Sequence, residues 1–352
     1  MNKKFWKKKK ILITGHTGFK GRWLSVFLEL FGAEVHGISL KPKNDNIYYS
    51  LIKRNYYCDI NDFTKLQKII KKVKPQIIFH LAAQSLVLSG YKKIVSTYKT
   101  NFMGTINVIE ASKILKETRA ILIATTDKVY KNKNNDSFFN EDSELGGKDP
   151  YSASKAACEI AIQSYIKSNL VENVNLASMR AGNVIGGGDF APDRLMNDLI
   201  NFFKAKNGFK KRLIIRNPNS IRPWQYVLDV LSGYILLAEK LYLNKRFIGS
   251  FNFGPNKNLT KIKVKKVVEE FKKYFNKNSK IFYKDKDKDK KEEAKIFLNI
   301  NKVKKYLSFK NKINSLENLI SRSIFIYNEI NKNKLNNRKS IYINEIKRYM
   351  NE

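Results

Sequence analysis

Ile11-Leu12-Ile13-Thr14-Gly15-His16-Thr17-Gly18-Phe19-Lys20-Gly21 is an apolar run that ends in a turn with glycines at 15, 18 and 21. The three apolar residues read as a buried strand, and the amphipathic run Gly21–Phe31 behind the turn reads as a helix. Glycine in such a turn lets backbone approach a diphosphate, and the start of the helix offers that anion its unpaired N–H groups. The spacing is GxxGxxG rather than GxGxxG, but the physics is shared. This stretch therefore predicts the first unit of an α/β fold, a Rossmann-type doubly wound parallel sheet that binds a dinucleotide. Gly15, Thr17, Gly18, Phe19, Lys20 and Gly21 are the residues expected to hold it.

Outward from the turn, short β-rich runs alternate with amphipathic ones, as a parallel sheet requires. Strands are expected at Glu34–Leu40, Ile77–Ala82, Ala120–Thr125 and Asn175–Arg180. Helices are expected at Phe63–Val73, as one long element at Val95–Lys116, and from Tyr151 to about Ser168. Beyond Gly186-Gly187-Gly188 the pattern loosens: helices near Leu195–Lys206, Val227–Leu243 and Lys263–Asn276, short strands near Leu213–Arg216 and Ser250–Phe253, and a basic helical tail from about Lys302. Asp59-Ile60 follows the second βα unit, where Asp59 either accepts from an adenine amine or caps the helix Phe63–Val73. His80-Leu81-Ala82-Ala83-Gln84 closes a buried strand, and its small residues leave room for a ribose and diphosphate. His80 itself reads as a hydrogen-bonded structural histidine, and Asn101 as a tie between backbone segments. The second strand ends in Ser39-Leu40-Lys41 with no carboxylate, which leaves NAD and NADP both open.

The chain has 352 residues, 43% hydrophobic and 12% aromatic, enough for a substantial core. Two cysteines, Cys58 and Cys158, give neither a disulfide framework nor metal spacing, and a reducing cytoplasm is expected. The basic start MNKKFWKKKK precedes too short an apolar run for a secretory leader, and no later run predicts a membrane span. The formal charge is +37, from 68 basic residues of which 56 are Lys and 12 Arg. Lys is scattered, abundant Asn and Ile accompany it, and no nucleic-acid motif appears, so the charge reads as compositional drift rather than a polyanion site. A competing reading, nucleic-acid binding on a retired scaffold, requires steeply salt-dependent binding and no retained dinucleotide. The run KDKDKDKK at 284–291 reads as a solvated loop. Against this background each Arg marks a need for a planar fork, and Arg180, Arg194, Arg212, Arg216 and Arg222 share one 43-residue window. That window is expected to form a diphosphate-binding wall.

Thr125-Thr126-Asp127-Lys128 ends a strand, and Tyr151-Ser-Ala-Ser-Lys155 begins a helix just beyond. Tyr151 and Lys155 share a helical face, where an ammonium can draw down a phenol whose free pKa is ~10. Such a phenol deprotonates an alcohol as hydride leaves the same carbon. Asp127 and Lys128 add a second acid and base, which a plain alcohol dehydrogenase does not need. Oxidation and elimination are therefore expected in one site.

Taken together, GHTGFKG (15–21), HLAAQ (80–84), TNFMGT (100–105), TTDKVY (125–130), DPYSASK (149–155), MRAGNVIGGGD (179–189) and RNPNSIRPWQYV (216–227) resemble the CDP-glucose 4,6-dehydratase family of extended short-chain dehydrogenase/reductases. The resemblance covers roughly residues 5–260. It implies an NAD-binding Rossmann domain (1–184), a smaller mixed α/β C-terminal domain for the nucleotide sugar (185–352, with segments packing back on the first), and a homodimer built through two helices. It implies conversion of CDP-D-glucose to CDP-4-dehydro-6-deoxy-D-glucose and water, on the way to the deoxy sugars of surface polysaccharide. Another nucleotide-sugar 4,6-dehydratase or a 4-epimerase is the alternative. On this resemblance Tyr151 takes the 4-hydroxyl proton, Lys155 lowers its pKa and holds the nicotinamide ribose, and Thr126 bonds the 4-oxygen. Asp127 protonates the leaving 6-hydroxyl. Lys128 stands where related dehydratases carry a Glu base for C5, either as that base or as an enolate-stabilising charge. Thr100, Leu81, Ala82, Ala83 and Gln84 join the cofactor set. Gln84, Asn183, Arg194, Arg216, Asn217 and Arg222 are expected to meet substrate. The chain departs from the family at Arg22 (usually small and polar), at Ser85-Leu86-Val87-Leu88 (commonly Pro-Leu-Val-Arg) and at Tyr226 (commonly His).

Overall fold

The computed structural model describes residues 1–42, 49–133, 136–204, 213–275, 281–284 and 295–352. Seven parallel strands make its main sheet: β1 (Lys10–Thr14), β2 (Glu34–Ser39), β3 (Arg54–Tyr57), β4 (Ile77–His80), β5 (Ala120–Ala124), β6 (Asn175–Ala181) and β7 (Gly249–Phe253). Their spatial order is β7-β6-β5-β4-β1-β2-β3. The order reverses between β1 and β4, so a crevice opens beyond the carboxyl ends of these strands, where Thr14 stands opposite His80. Alternation along β1 sends Ile11 and Ile13 into one core and Leu12 into the other.

The helices follow the sequence pattern, with local reasons at their ends. The helix α1 (Phe19–Leu30) starts at Gly18 without a side-chain cap. By contrast α2 (Phe63–Val73) is capped by Asp62, whose Oδ1 accepts from Lys65 N, so Asp59 does not cap it. The expected long helix at 95–116 is broken: Ile94–Tyr98 passes through a π turn at Lys99–Met103 into α3 (Gly104–Lys113). The wide turn holds Asn101, whose side chain is tied to Gln84 and Ser154. Strand β3 and a short helix at Val87–Lys92 are additions that the hydrophobic pattern did not reveal. The helix α4 (Pro150–Lys167) has Asp149 as its cap, accepting from Ser152 N, and Pro150 in its first turn.

Beyond residue 182 three small ribbons pair Asn183–Ile185 with Trp224–Tyr226, Ile221–Arg222 with Ile262–Lys263, and Leu213–Arg216 with Ile281–Lys284. Helices at Leu195–Lys204 and Val264–Lys272 fall at the expected positions, the second ending in a turn at 273–275 short of its expected end, whereas Arg212 and the Lys-rich run after Lys284 lie outside the described residues. The helix α5 (Val227–Leu243) packs against the sheet and β7 completes it, so the second half of the chain also builds the first layer. The tail is helical as expected, in Asn301–Leu307, α6 (Leu316–Lys332) and α7 (Arg338–Asn351), but it is not a solvated appendage. It buries Tyr327, Tyr342, Ile346 and Tyr349, and Tyr226 donates to Glu345 at 2.7 Å. Among the described residues no helix is long and apolar enough to cross a membrane.

A polar knot joins these layers. Glu159 on α4 accepts from Thr125 Oγ1 at 2.5 Å, Ser178 Oγ at 2.7 Å, Arg180 Nη2 at 2.8 Å and Ser250 Oγ at 3.1 Å. Both charged side chains are fully buried. Removing one partner of such a pair strands the other charge, so Glu159→Ala should cost about 3–5 kcal/mol in denaturant unfolding. Burial raises the Glu159 pKa, but Arg180 and the hydroxyls outweigh it and hold the carboxyl below its ordinary range. Its contribution is therefore full above the unfolded value of about 4.3 and is lost as pH falls through the lower folded value. A wild-type stability curve that gains nothing over Glu159→Ala between acid and neutral pH would contradict this.

Candidate active site

A cleft of about 1020 Å³ lies at the carboxyl ends of the strands. Its dinucleotide side is built from absences of side chain. Gly15 sits at φ +75°, and a Cβ there would stand 2.8 Å from Ala82 N. A Cβ on Gly21 would stand 2.2 Å from Gly15 O, so helix and turn touch backbone to backbone. The N–H groups at the start of α1 receive no side-chain cap and face the cleft wall formed by Thr17, Gly18, Phe19, Lys20 and Gly21. These features fit a diphosphate. Asp59, Ile60, Leu81, Ala82, Ala83 and Thr100 also line the cleft. Gln84 does not: its amide binds Thr97 Oγ1 and Leu86 N, its backbone binds Asn101, and it supports the wall from behind. Both ring nitrogens of His80 are engaged, by Thr14 and Thr105, as a structural histidine requires. Burial, helped by the Lys155 charge, pushes its pKa down to about 3.

Thr126, Asp127, Lys128, Tyr151 and Lys155 all line this one cleft. Asp127 opens a 3-10 turn at the end of β5, and its Oδ1 accepts from Thr126 Oγ1 at 3.1 Å. Its Oδ2 is buried with no partner and lies against Gly182, where a Cβ would come within 2.7 Å of it. Burial raises the Asp127 pKa despite Lys128, Thr126, Arg222 and Lys20 nearby, which favours a protonated, donating carboxyl. The expectation that Lys155 draws down the phenol of Tyr151 is corrected. Burial pushes Tyr151 up to about 12, and the opposing groups are Thr126 and Arg194. The Lys155 ammonium instead donates to Ala124 O at 3.0 Å, with its own pKa lowered by burial.

Asn183, Arg194, Arg216, Asn217 and Arg222 also line the cleft. Arg194 Nη2 donates to Ser85 Oγ at 2.9 Å. Asn217 adopts φ +49° with its Oδ1 buried and unpartnered. Arg180 is corrected: it is spent on Glu159, Tyr130 and Ser250 beneath the site and does not line the cleft. Residues the sequence reading passed over include Asp189 and Asp198 on the wall, and Glu159 beneath. Glu159 could have been found, since 151, 155 and 159 fall on one helical face.

Residues 12–322 match the protein family described as GDP-mannose 4,6 dehydratase. The chain is 42% identical over 267 residues to the CDP-glucose 4,6-dehydratase of Salmonella typhimurium, covering 72% of this chain and 73% of that one. The chain belongs to this 4,6-dehydratase family. Its fold is that of solved nucleotide-sugar enzymes. MoeE5 in complex with UDP-glucose and NAD superposes with a TM-score of 0.78 at 20% identity, over 92% of this chain and 100% of that one. The UDP-glucose 4-epimerase of Thermus thermophilus in complex with NAD gives 0.77 at 20%, over 90% and 98%. As a family member the chain is an enzyme of the extended short-chain dehydrogenase/reductase type.

The dehydratase cleft is lined by a lysine whose charge is contested. Burial, with Arg194 and Lys155 as like charges, pushes Lys20 down to about 8 against the pull of Asp127 and Asp189. In an NMR titration of labelled lysines, a signal titrating near pH 8 should therefore vanish in Lys20→Met. A Lys20 signal titrating near ~10.4, the ordinary lysine value, would refute this electrostatic picture.

Proposed function

We propose that the chain converts CDP-D-glucose to CDP-4-dehydro-6-deoxy-D-glucose and water, with NAD at the glycine turn. The observation that carries the reading is Asp127: a buried carboxyl with a raised pKa and a free oxygen, in the same cleft as Tyr151. A 4-epimerase, which only removes and returns hydride at C4, has no use for it. The substrate rests on the 42% identity to the Salmonella enzyme.

The steps assign each group one task. Tyr151 is assigned to the proton of the sugar 4-hydroxyl in its phenolate form, the form that the Thr126 hydroxyl and the Arg194 charge favour against burial. When bound, NAD supplies a hydride acceptor for C4 and a hydride donor for C6. The 4-ketone acidifies the C5–H bond, and Lys128, which flanks Asp127, is assigned to that proton. The C6–O bond breaks as Asp127 protonates the departing hydroxyl, which leaves as water. Hydride arriving at C6 and a proton returned to C5 complete a product with no net oxidation. Lys155, anchored on Ala124 O, would hold the ribose beside Tyr151, and Gly15, Thr17, Gly18, Phe19, Lys20, Gly21, Asp59, Ile60 and Leu81–Ala83 would hold the rest of the dinucleotide. Asn183, Arg194, Arg216, Asn217 and Arg222 hold the nucleotide diphosphate, with forked guanidinium groups suited to phosphate oxygens. In this reading residues 1–184 serve mainly the cofactor and 185–352 mainly the substrate.

Assembly as a homodimer is part of the proposal. On the adjoining helices at 94–113 and 150–167, Val95 is 81% and Ile160 59% exposed, and Ile94 and Met103 are exposed as well. Exposed apolar side chains on paired helices suit a second copy. The free, buried cysteines suit a reducing cytoplasm as its location, and the proposed product suits a role in making deoxy sugars for surface polysaccharide.

Incubation with CDP-glucose, with UDP-, dTDP- and GDP-sugars as controls, should give loss of one water by mass spectrometry for the CDP sugar. Turnover of a different nucleotide sugar alone would overturn the nucleotide assignment. Tyr151→Phe should abolish hydride transfer, at least about a thousandfold in kcat. Asp127→Asn should still oxidise C4 yet stall elimination, seen as a reduced-nicotinamide absorbance that persists. Equal, small effects of both substitutions would contradict the mechanism. Val95→Glu should sediment as a monomer where wild type sediments as a dimer.

A further inference from the structure

Arg22, the first residue after the glycine turn, is buried to 1% exposure and makes contacts in three directions. Its Nη1 donates to Thr17 O at 2.5 Å, in the turn itself. Its Nη2 donates to Gly188 O in the triglycine loop, and its Nε to the Tyr342 hydroxyl of α7 at 3.3 Å. The guanidinium also lies 4.4 Å from the centroid of the Tyr49 ring. Next to it, Trp23 Nε1 donates to Gly187 O at 3.0 Å. One helix thus holds two successive carbonyls of a loop that has no side chains of its own.

The loop has no room for side chains of its own. Gly188 sits at φ +91°, and a Cβ there would stand 2.7 Å from the Tyr342 hydroxyl. A Cβ on Gly187 would stand 2.3 Å from Ile326 Cβ. Directly beyond the loop come Asp189 and Arg194, both on the cleft wall, with Arg194 Nε 3.7 Å from Asp189 Oδ2. From α6, Tyr327 donates to Asp189 O at 2.5 Å.

We infer that Arg22 is a positioning residue for substrate binding: it locks the loop that presents Asp189 and Arg194 onto the dinucleotide turn, and so sets where the substrate's diphosphate is received. The inference rests on the dehydratase reading for the identity of the substrate. A planar fork can hold two carbonyls from separate segments in fixed directions, whereas an ammonium on a flexible stem fixes neither. Loss of the lock therefore loosens Arg194, while Tyr151 on α4 and Asp127 at the end of β5 stay in place.

The test compares wild type, Arg22→Lys and Tyr342→Phe for bound dinucleotide, kcat and KM with CDP-glucose. Arg22→Lys should raise KM about tenfold with kcat within about threefold and dinucleotide content unchanged. Tyr342→Phe, which keeps both carbonyl contacts, should change KM less than about threefold. Combined with Arg194→Lys, Arg22→Lys should add little further loss, since both act through one contact. An unchanged KM in Arg22→Lys would overturn the inference, as would strict additivity with Arg194→Lys or parallel loss of dinucleotide and kcat. Absence of any turnover by wild type would instead sink the dehydratase reading. In that case calorimetric titration with CDP still decides for Arg22, through a tenfold weaker Kd in Arg22→Lys or an equal one.

Discussion

The placement of Tyr151 and Asp127 in one cleft depends on the carboxylate of Glu159. On α4 it stands one turn beyond Lys155 and two beyond Tyr151, and its two oxygens gather Thr125, Ser178, Arg180 and Ser250. Thr125 is the residue before Thr126-Asp127, so this single group fixes the helix that carries the phenol against the strand end that carries the carboxyl. An isolated carboxylate at that depth is prohibitive, and a pair alone is a poor source of stability. The three hydroxyls and the Arg180 fork make the site tolerable, and its return is register rather than energy. Where Tyr151 sits relative to Asp127 is a consequence.

Much of the layout was legible because it follows from short-range rules. The glycine turn, the strands alternating with amphipathic helices, and the cleft at their carboxyl ends all come from spacing that sequence displays directly. So does the gathering of Thr126, Asp127, Lys128, Tyr151 and Lys155 in one cleft. What escaped depends on three dimensions. Strand β3, reading Arg54-Asn55-Tyr56-Tyr57, is an edge strand with no fully buried residue, so no apolar run announced it. The π turn at Lys99–Met103 answers to the ties of Asn101 rather than to any helical periodicity. The tail looked merely basic because its buried Tyr and Ile residues are diluted among lysines. The direction of the Tyr151 shift was misjudged for a similar reason: proximity in sequence predicts a charge neighbour, whereas desolvation is a property of the folded cleft.

The arginines make the same point in miniature. Their scarcity against lysine did mark positions that need a planar fork, but the forks are used inside the protein as much as in the cleft. Arg22 clasps two carbonyls, Arg180 pairs with Glu159, and Arg322 pairs with Glu345 across the tail helices. Among the described members of the predicted cluster, Arg194, Arg216 and Arg222 reach the cleft wall and Arg180 does not. The large positive charge itself is carried by scattered lysines, which at the surface contribute little to stability.

The central claim is that oxidation at C4 and reduction at C6 are two ends of one hydride's passage within a closed cleft. CDP-glucose carrying deuterium at C4 tests it most directly. The account requires a dehydrated product that keeps the label and carries it at C6. A product that has lost water but exchanged the label with solvent, or a sugar inverted at C4 with its 6-hydroxyl in place, would contradict it.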